Sequence, residues 1–203
     1  MKFWLHRLRH WWNRPRGQSQ TIELKPLATG RPSGPGHWIP VALKRAMEQG
    51  QWERASNLVD ETDHLVRTWP LVAEQVARFH LALGRPDVAL KTIDEAIFRT
   101  SELRLLQNVC RALEGHTVEA MADLDRWSDH PSFPVVASTL LALLKIEHDE
   151  IDDAWSLLDA NLKNHEDPMS LACLFVLCKE RGMTECASKL ARRLQSTFGP
   201  GRS

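Results

Sequence analysis

The sequence predicts an all-α protein, a solenoid of antiparallel helix pairs preceded by an amphipathic helix. Three observations lead to this expectation. From residue 40 onward, apolar residues recur three and four positions apart, which is the period of an α-helix. Proline and glycine are sparse in the same stretch, whereas residues 15–40 hold five of the eleven prolines. A unit of about 33 residues also repeats along it, and such a period is typical of stacked helical repeats.

The overall composition is that of an ordinary globular protein. The chain has 203 residues, of which 43% are hydrophobic and 26% are charged. That length supports one domain with a substantial core or two small domains. The composition fits neither a disordered chain nor a polytopic membrane protein. Four cysteines are too few for a disulfide scaffold. The 26 basic and 26 acidic residues balance, but residues 1–16 carry five bases and no acid, while residues 40–203 carry a net charge of −6. A basic arm therefore precedes an acidic body.

Residues 1–16 predict a basic, aromatic amphipathic helix that Pro15 ends. At about 100° per residue, its apolar side chains fall within an arc of about 120°, opposite the basic ones. A tryptophan-rich face with basic residues opposite it is typical of a helix lying on an anionic membrane. The same face would also suit docking onto the solenoid or a partner protein, and an arginine-rich, acid-poor start is also found in cleaved transit peptides. The contact residues for membrane or docking are Trp4, Leu5, Arg7, Leu8, Arg9, Trp11 and Trp12.

Residues 17–39 predict a linker rich in proline and glycine. The run from 30 to 36 contains two prolines and three glycines. Proline lacks a backbone donor and glycine loses the most conformational entropy, so we do not expect this run inside a helix or a strand. A semi-extended tether is the expected conformation.

Residues 40–203 predict the solenoid, because an alanine and a turn residue recur together. The five pairs are Gly50 with Ala55, Gly84 with Ala89, Gly115 with Ala120, Asp149 with Ala154, and Gly182 with Ala187. A glycine suits the left-handed position that ends a helix, and the acidic residues after it suit the start of the next helix. The small alanine lets the two helices of a pair cross closely. The apolar stretch 133–146 is expected to be the most buried helix, and it is too short to span a bilayer.

Here the sequence resembles the tetratricopeptide repeat family. Within residues 70–100, the family's turn glycine, first small residue, large apolar residue and second small residue correspond to Gly84, Ala89, Ile93 and Ala96. Residues 42–62 match at Trp52 and Ala55. The alanine pattern extends the resemblance over about 160 residues, which implies about five helix–turn–helix units that stack and bind proteins.

The later units depart from the family pattern. Asn108 and Val176 replace the small residue of the first helix, and Trp127, Asn161 and Leu194 replace the second small residue. Those units are expected to be irregular.

The concave groove is the usual ligand surface of such solenoids. With the repeats in register, the groove positions on the first helices are Lys44, Glu74, Arg78, Leu105, Val109, Thr139 and Leu143. These residues are mixed in character at the start of the stack and apolar in its middle, which favours an apolar peptide or helix as the ligand. A register shift of one residue would instead make the three apolar residues inter-repeat core.

The sequence contains no familiar catalytic motif. It has no glycine-rich phosphate loop, no HExxH, no GxSxG and no paired CxxC. Cys173, Cys178 and Cys186 with His165 would be a poorly spaced zinc site, and buried free cysteines are the alternative. The acidic run 147–153 suggests calcium but lacks an EF-hand spacing, so an acidic cap on the next helix is the alternative.

The sequence therefore predicts a non-catalytic protein-binding adaptor or scaffold, without a cofactor or a metal. We expect it in the cytoplasm, with the arm at an anionic membrane surface or on a protein. The alternative is a soluble subunit or assembly chaperone of a larger complex, whose arm docks onto a partner protein. Specific nucleic-acid binding is not expected, because the body is acidic.

Overall fold

The computed structural model describes residues 35–131, 133–164 and 167–198, and this part of the chain is all-helical, as predicted. Its ten helices are α1 (Pro35–Glu48), α2 (Trp52–Val66), α3 (Pro70–Ala82), α4 (Pro86–Glu95), α5 (Ser101–Leu113), α6 (Thr117–Ser128), α7 (Val135–Glu147), α8 (Ile151–Asn164), α9 (Pro168–Glu180) and α10 (Thr184–Phe198). Of these helices, none is both long enough and apolar enough to cross a bilayer.

The helices belong to two compact units, Met1–His116 and Thr117–Ser203. In the first unit α1 packs on α2 and α3, α3 also packs on α2, α4 and α5, and α4 packs on α5. In the second unit α6 packs on α7, α7 packs on α8 and α9, α8 packs on α9, and α9 packs on α10. Four of the predicted helix pairs are thus packed within a unit. The sequence did not predict the boundary, which falls in the turn between α5 and α6.

The five predicted turn residues all have a positive φ, from 65° at Asp149 to 90° at Gly115. They share one pattern of hydrogen bonds, in which the turn residue donates to the carbonyl three residues back and the next residue donates five back. At Gly84 these bonds are Gly84 N–H to Leu81 O and Arg85 N–H to His80 O, both 2.9 Å. This pair of hydrogen bonds is the Schellman motif that ends a helix, so the predicted role of the turn residues is confirmed.

Helix α1 begins at Pro35, so the last residues assigned to the linker, 35–39, are helical. Proline is favourable at the first position of a helix, where no intrahelical donor is needed, and Pro70, Pro86 and Pro168 also begin helices. Pro40 lies inside α1 and removes one of its backbone hydrogen bonds. The linker prediction was wrong here because a proline in the first turn does not break a helix.

The repeated alanines lie in the core, as predicted. Ala55, Ala89, Ala120 and Ala154 have no exposed surface, and Ala187 is buried as well. The stretch expected to be the most buried contains nine consecutive buried residues in α7, from Ala137 to Lys145. Because α7 packs on α6, α8 and α9, apolar residues are needed on all of its sides.

The larger residues that replace the family's small ones are also accommodated. Trp127 is buried, and its ring meets Phe133 edge to face with 5.3 Å between centroids. Asn108 is fully buried, and its Nδ2 donates to Arg104 O at 3.1 Å, one turn earlier in α5. The irregular positions are therefore filled by specific contacts of the wider side chains.

Candidate protein-binding surface

Helix α1 has one core face and one open face. The core face consists of Ile39, Leu43 and Ala46. On the other side Trp38 is 51% exposed and Val41 is 65% exposed, three residues apart and thus on the same helix face. Lys44 continues this face in the next turn and lies 3.9 Å from Glu48. Large apolar side chains at the surface, beside charged ones, are the composition of a protein-binding surface.

Helix α3 brings together Glu74 and Arg78, two residues that the sequence predicted in the groove. They lie one helical turn apart. Arg78 Nε donates to Glu74 Oε1 at 2.9 Å, and both side chains are partly buried. Leu71, one turn before Glu74, is exposed. Because α1 packs on α3, the first helices of two successive pairs are neighbours in this unit. Together, Trp38, Val41, Lys44, Leu71, Glu74 and Arg78 are referred to below as the α1/α3 surface.

The two groove residues predicted on α5 are not open. Leu105 and Val109 are each only 7% exposed and belong to the core of the first unit. Helix α5 packs on both α3 and α4, so a side chain on either flank is covered. Their burial agrees with the alternative that they are inter-repeat core, and it leaves little surface for a ligand.

In the second unit, the predicted groove residues Thr139 and Leu143 are also buried. Thr139 belongs to a polar network that joins three helices. Asp167 caps α9 by accepting from Ser170 N–H at 2.8 Å, and Ser170 Oγ donates to Asp167 Oδ2 at 2.6 Å. Asn161 Nδ2 donates to Ser170 Oγ at 3.1 Å and to Thr139 Oγ1 at 3.3 Å. The asparagine that departs from the family pattern is thus needed to satisfy this buried cluster.

The acidic run 147–153 contributes carboxylates to a buried lysine. Lys145 Nζ lies 2.8 Å from Glu150 Oε2 and 3.6 Å from both Asp153 Oδ2 and Asp125 Oδ2. The hydrogen bond with Glu150 raises the pKa of Lys145, and the nearby carboxylates add to it against the opposing effect of burial. Sequence analysis missed this cluster, although a single lysine inside an apolar helix was a visible signal.

Another acid of that run, Asp152, has a different partner. Asp152 Oδ1 lies 3.3 Å from both terminal nitrogens of Arg181. Within the part of the chain that the structure describes, no three His, Cys, Asp or Glu side chains are grouped to hold a metal ion. The run also begins α8 with acidic residues, which agrees with the helix-cap alternative.

The cysteines are free thiols. Burial raises the pKa of Cys110 and of Cys173 to about 12. Cys178 lies against Cys186, with 2.8 Å between their sulfur atoms. The sequence grouped these two cysteines with Cys173 as a poorly spaced zinc site and did not predict this contact. Their positions four residues before and four after Gly182 were a visible signal, because four residues are about one helical turn and return both side chains to the side next to the hairpin. His165, the fourth residue of the hypothetical zinc site, lies outside the described residues.

The residues predicted to touch a membrane or a docking partner, Trp4, Leu5, Arg7, Leu8, Arg9, Trp11 and Trp12, all lie outside the described residues. No family model, curated protein or solved structure matches the chain.

Proposed function

We propose that this protein is a non-catalytic adaptor that binds another protein through the α1/α3 surface of its first unit. The observation that carries the proposal is the exposure of Trp38 and Val41 on one face of α1, opposite the face that packs in the core. Tryptophan is the side chain most enriched among residues that dominate binding energy, because it buries a large apolar area at a small entropic cost.

The chemistry of the surface favours an apolar peptide or an amphipathic helix as the ligand. Trp38 and Val41 supply apolar anchors, and Leu71 is a further exposed apolar residue on the neighbouring helix α3. The charged groups beside them are Lys44, which a partner's carboxylate would attract, and the Glu74–Arg78 pair, which would form a polar edge. An apolar centre with a polar edge is the usual layout of a specific protein interface.

Four of the predicted groove residues are buried and are therefore not part of the proposed contact surface. Because Leu105, Val109, Thr139 and Leu143 are covered within their own units, the proposed contact residues are those of α1 and α3. The basic arm has a separate role in this proposal, which is to hold the adaptor at an anionic membrane surface. The alternative role of the arm is docking onto a protein of a larger complex. Failure of the full chain to bind lipid would favour this alternative.

The proposal is tested by capturing proteins from the native cell extract with the immobilised full chain and with two variants. The first variant combines Trp38→Ala with Val41→Ser. The second is a matched control, Val118→Ser, which changes an equally exposed apolar residue in the second unit. Losing a tryptophan anchor costs about 2 kcal/mol, so we expect the first variant to bind its partner at least about tenfold more weakly.

The control variant should capture the same partner as the unchanged chain. Circular dichroism should be the same for all three proteins, because the substituted side chains are exposed. Equal capture of the partner by the double variant and the unchanged chain would rule out the α1/α3 surface.

A further inference from the structure

The last helix pair brings two thiols into contact. Cys178 on α9 and Cys186 on α10 are each four residues from Gly182, and their sulfur atoms are 2.8 Å apart. The turn between them is held by a positive φ at Gly182 and by the Met183 N–H to Cys178 O bond of 2.8 Å. The two sulfur atoms are therefore placed by the same backbone geometry that recurs at the five turns with a positive φ.

The two thiols differ in access to solvent. Cys178 is fully buried, whereas Cys186 is partly exposed. Burial and the hydrogen bond with Cys186 raise the pKa of Cys178 to about 12, so this thiol is protonated at neutral pH. Cys110 and Cys173 are buried free thiols, so they too are shielded from solvent. A reagent in solution thus meets Cys186 first, and Cys178 is the thiol within reach of it.

We propose that Cys178 and Cys186 form a redox site at which a low-molecular-weight disulfide, such as oxidised glutathione, produces an intramolecular disulfide between α9 and α10. After losing its proton to solvent, the Cys186 sulfur attacks one sulfur of the reagent and releases the first glutathione thiolate. Cys178 then loses its proton to solvent, and its thiolate attacks the Cys186 sulfur of this mixed disulfide and releases the second glutathione as a thiolate, which takes up a proton from solvent. The two cysteines are oxidised by two electrons, and one oxidised glutathione is reduced to two thiols.

The geometry favours the second step strongly. Bond formation would bring the sulfur atoms from 2.8 Å to about 2.05 Å, a shift of less than about 1 Å. A thiol already held in contact acts at a high effective concentration, so the mixed disulfide should be short-lived. The product would connect the last two helices covalently, and excess reduced thiol would reverse it. This inference is independent of the proposed adaptor function, because it involves the second unit alone.

The test uses the full chain in a buffer of reduced and oxidised glutathione, followed by alkylation of free thiols and mass spectrometry. We expect a product that has lost two hydrogens, and trypsin should give peptide 164–179 joined to peptide 182–189. The cross-linked form should exceed the glutathione adduct of Cys186 by at least about tenfold.

Three variants identify the sulfur atoms. Cys178→Ala should accumulate the glutathione adduct at Cys186, and Cys186→Ala should give neither product. The Cys173→Ala variant is the matched control, because it removes an equally buried thiol from the same helix and leaves the cross-link unchanged. Because Cys186 is partly exposed, its variant should fold even if that of Cys178 does not.

The proposal fails if the unchanged chain stays fully reduced or carries only the glutathione adduct. A cross-link that persists in the Cys178→Ala or Cys186→Ala variant, or that disappears in Cys173→Ala, would overturn it as well.

Discussion

At the scale of single residues, Lys145 is the most unusual feature of the described chain. It is the last of the nine consecutive buried residues in α7, and its side chain is only 10% exposed. Three carboxylates surround its ammonium group, and each of them is itself well exposed to solvent. The positive charge of the buried Lys145 side chain is thus balanced by carboxylates that stay in contact with solvent. Because no acid is buried, the desolvation cost is low.

This arrangement predicts a stability difference that depends on pH. We expect Lys145→Met to lower the free energy of unfolding by about 1–2 kcal/mol at pH 8, between the values for exposed and for buried pairs. The pKa of Lys145 is raised above its ordinary value of 10.5 in the folded state. Its contribution is therefore fully present below pH 10.5 and is lost as the pH rises through the folded pKa.

Urea unfolding followed by tryptophan fluorescence between pH 8 and pH 11.5 checks this prediction. The difference between the unchanged chain and Lys145→Met should shrink above pH 10.5, and the chain has no tyrosine to titrate in that range. The control is Lys163→Met, which removes an exposed lysine paired with Asp159 at 2.7 Å and should change stability very little. A difference that stays constant with pH would contradict the assigned pKa direction.

At the scale of helices, the five turns impose a common register on the residues before and after them. At two of these turns, the residues four before and four after the turn residue meet, as Cys178 and Cys186 do about Gly182. The ion pair of Lys145 with Asp153 occupies the same two positions about Asp149. One backbone geometry thus places a pair of thiols in one helix pair and a pair of opposite charges in another.

Substitutions at two of the turn residues should change the stability of the fold in opposite directions. Gly50 has a φ of 68°, and a Cβ added there would meet nothing within 4 Å, so Gly50→Ala tests the backbone conformation alone. We expect it to cost about 1–2 kcal/mol, the usual penalty for a left-handed residue with a side chain. Asp149→Gly should instead stabilise by about 0.5 kcal/mol, since it relieves the same strain and removes a negative charge from a helix C-terminus.

Thermal unfolding of both variants, together with Asp149→Ala, measures these effects. The alanine variant removes the carboxylate but keeps the strain, so it should not share the gain of the glycine variant. If Gly50→Ala proved as stable as the unchanged chain, the positive φ at this turn would be in doubt.

The sequence predicted the turns and the alanines because each depends on a local requirement that one residue type meets. It left open whether Leu105 and Val109 line the groove or belong to the inter-repeat core, because helical periodicity gives the apolar faces but not how many neighbours cover them. It also missed the pairing of Cys178 with Cys186, since that contact depends on the hairpin register rather than on spacing along one helix. The start of α1 at Pro35 was missed because the dense prolines and glycines of residues 30–36 were taken to exclude a helix there.

At the scale of the whole molecule, the main property is the separation of charge between a basic arm and an acidic body. Residues 1–16 carry five bases and no acid, although the complete chain has no net charge at pH 7. The arm lies outside the described residues, so its role is proposed from its sequence alone. A basic segment with a tryptophan-rich face is attracted to anionic lipids by charge and held there by its apolar side chains.

Co-sedimentation with liposomes tests the role of the arm. We expect the full chain to pellet with anionic liposomes at low salt, to be released by high salt and not to pellet with neutral ones. A chain starting at Gly17 should stay in solution, and so should the full chain with Arg7→Glu and Arg9→Glu. If the full chain binds neither lipid, the membrane role is wrong and the arm is a docking element for a protein.

Helix α7 has a consequence for how the protein is made. Its buried run, Ala137 to Lys145, is covered by α6, which precedes it, and by α8 and α9, which follow it. During synthesis the ribosome releases α7 before the two later helices exist, so its apolar sides are exposed on the nascent chain for that interval. Chains that terminate early, before residue 151, would keep this surface uncovered and would be substrates for chaperones or for proteolysis.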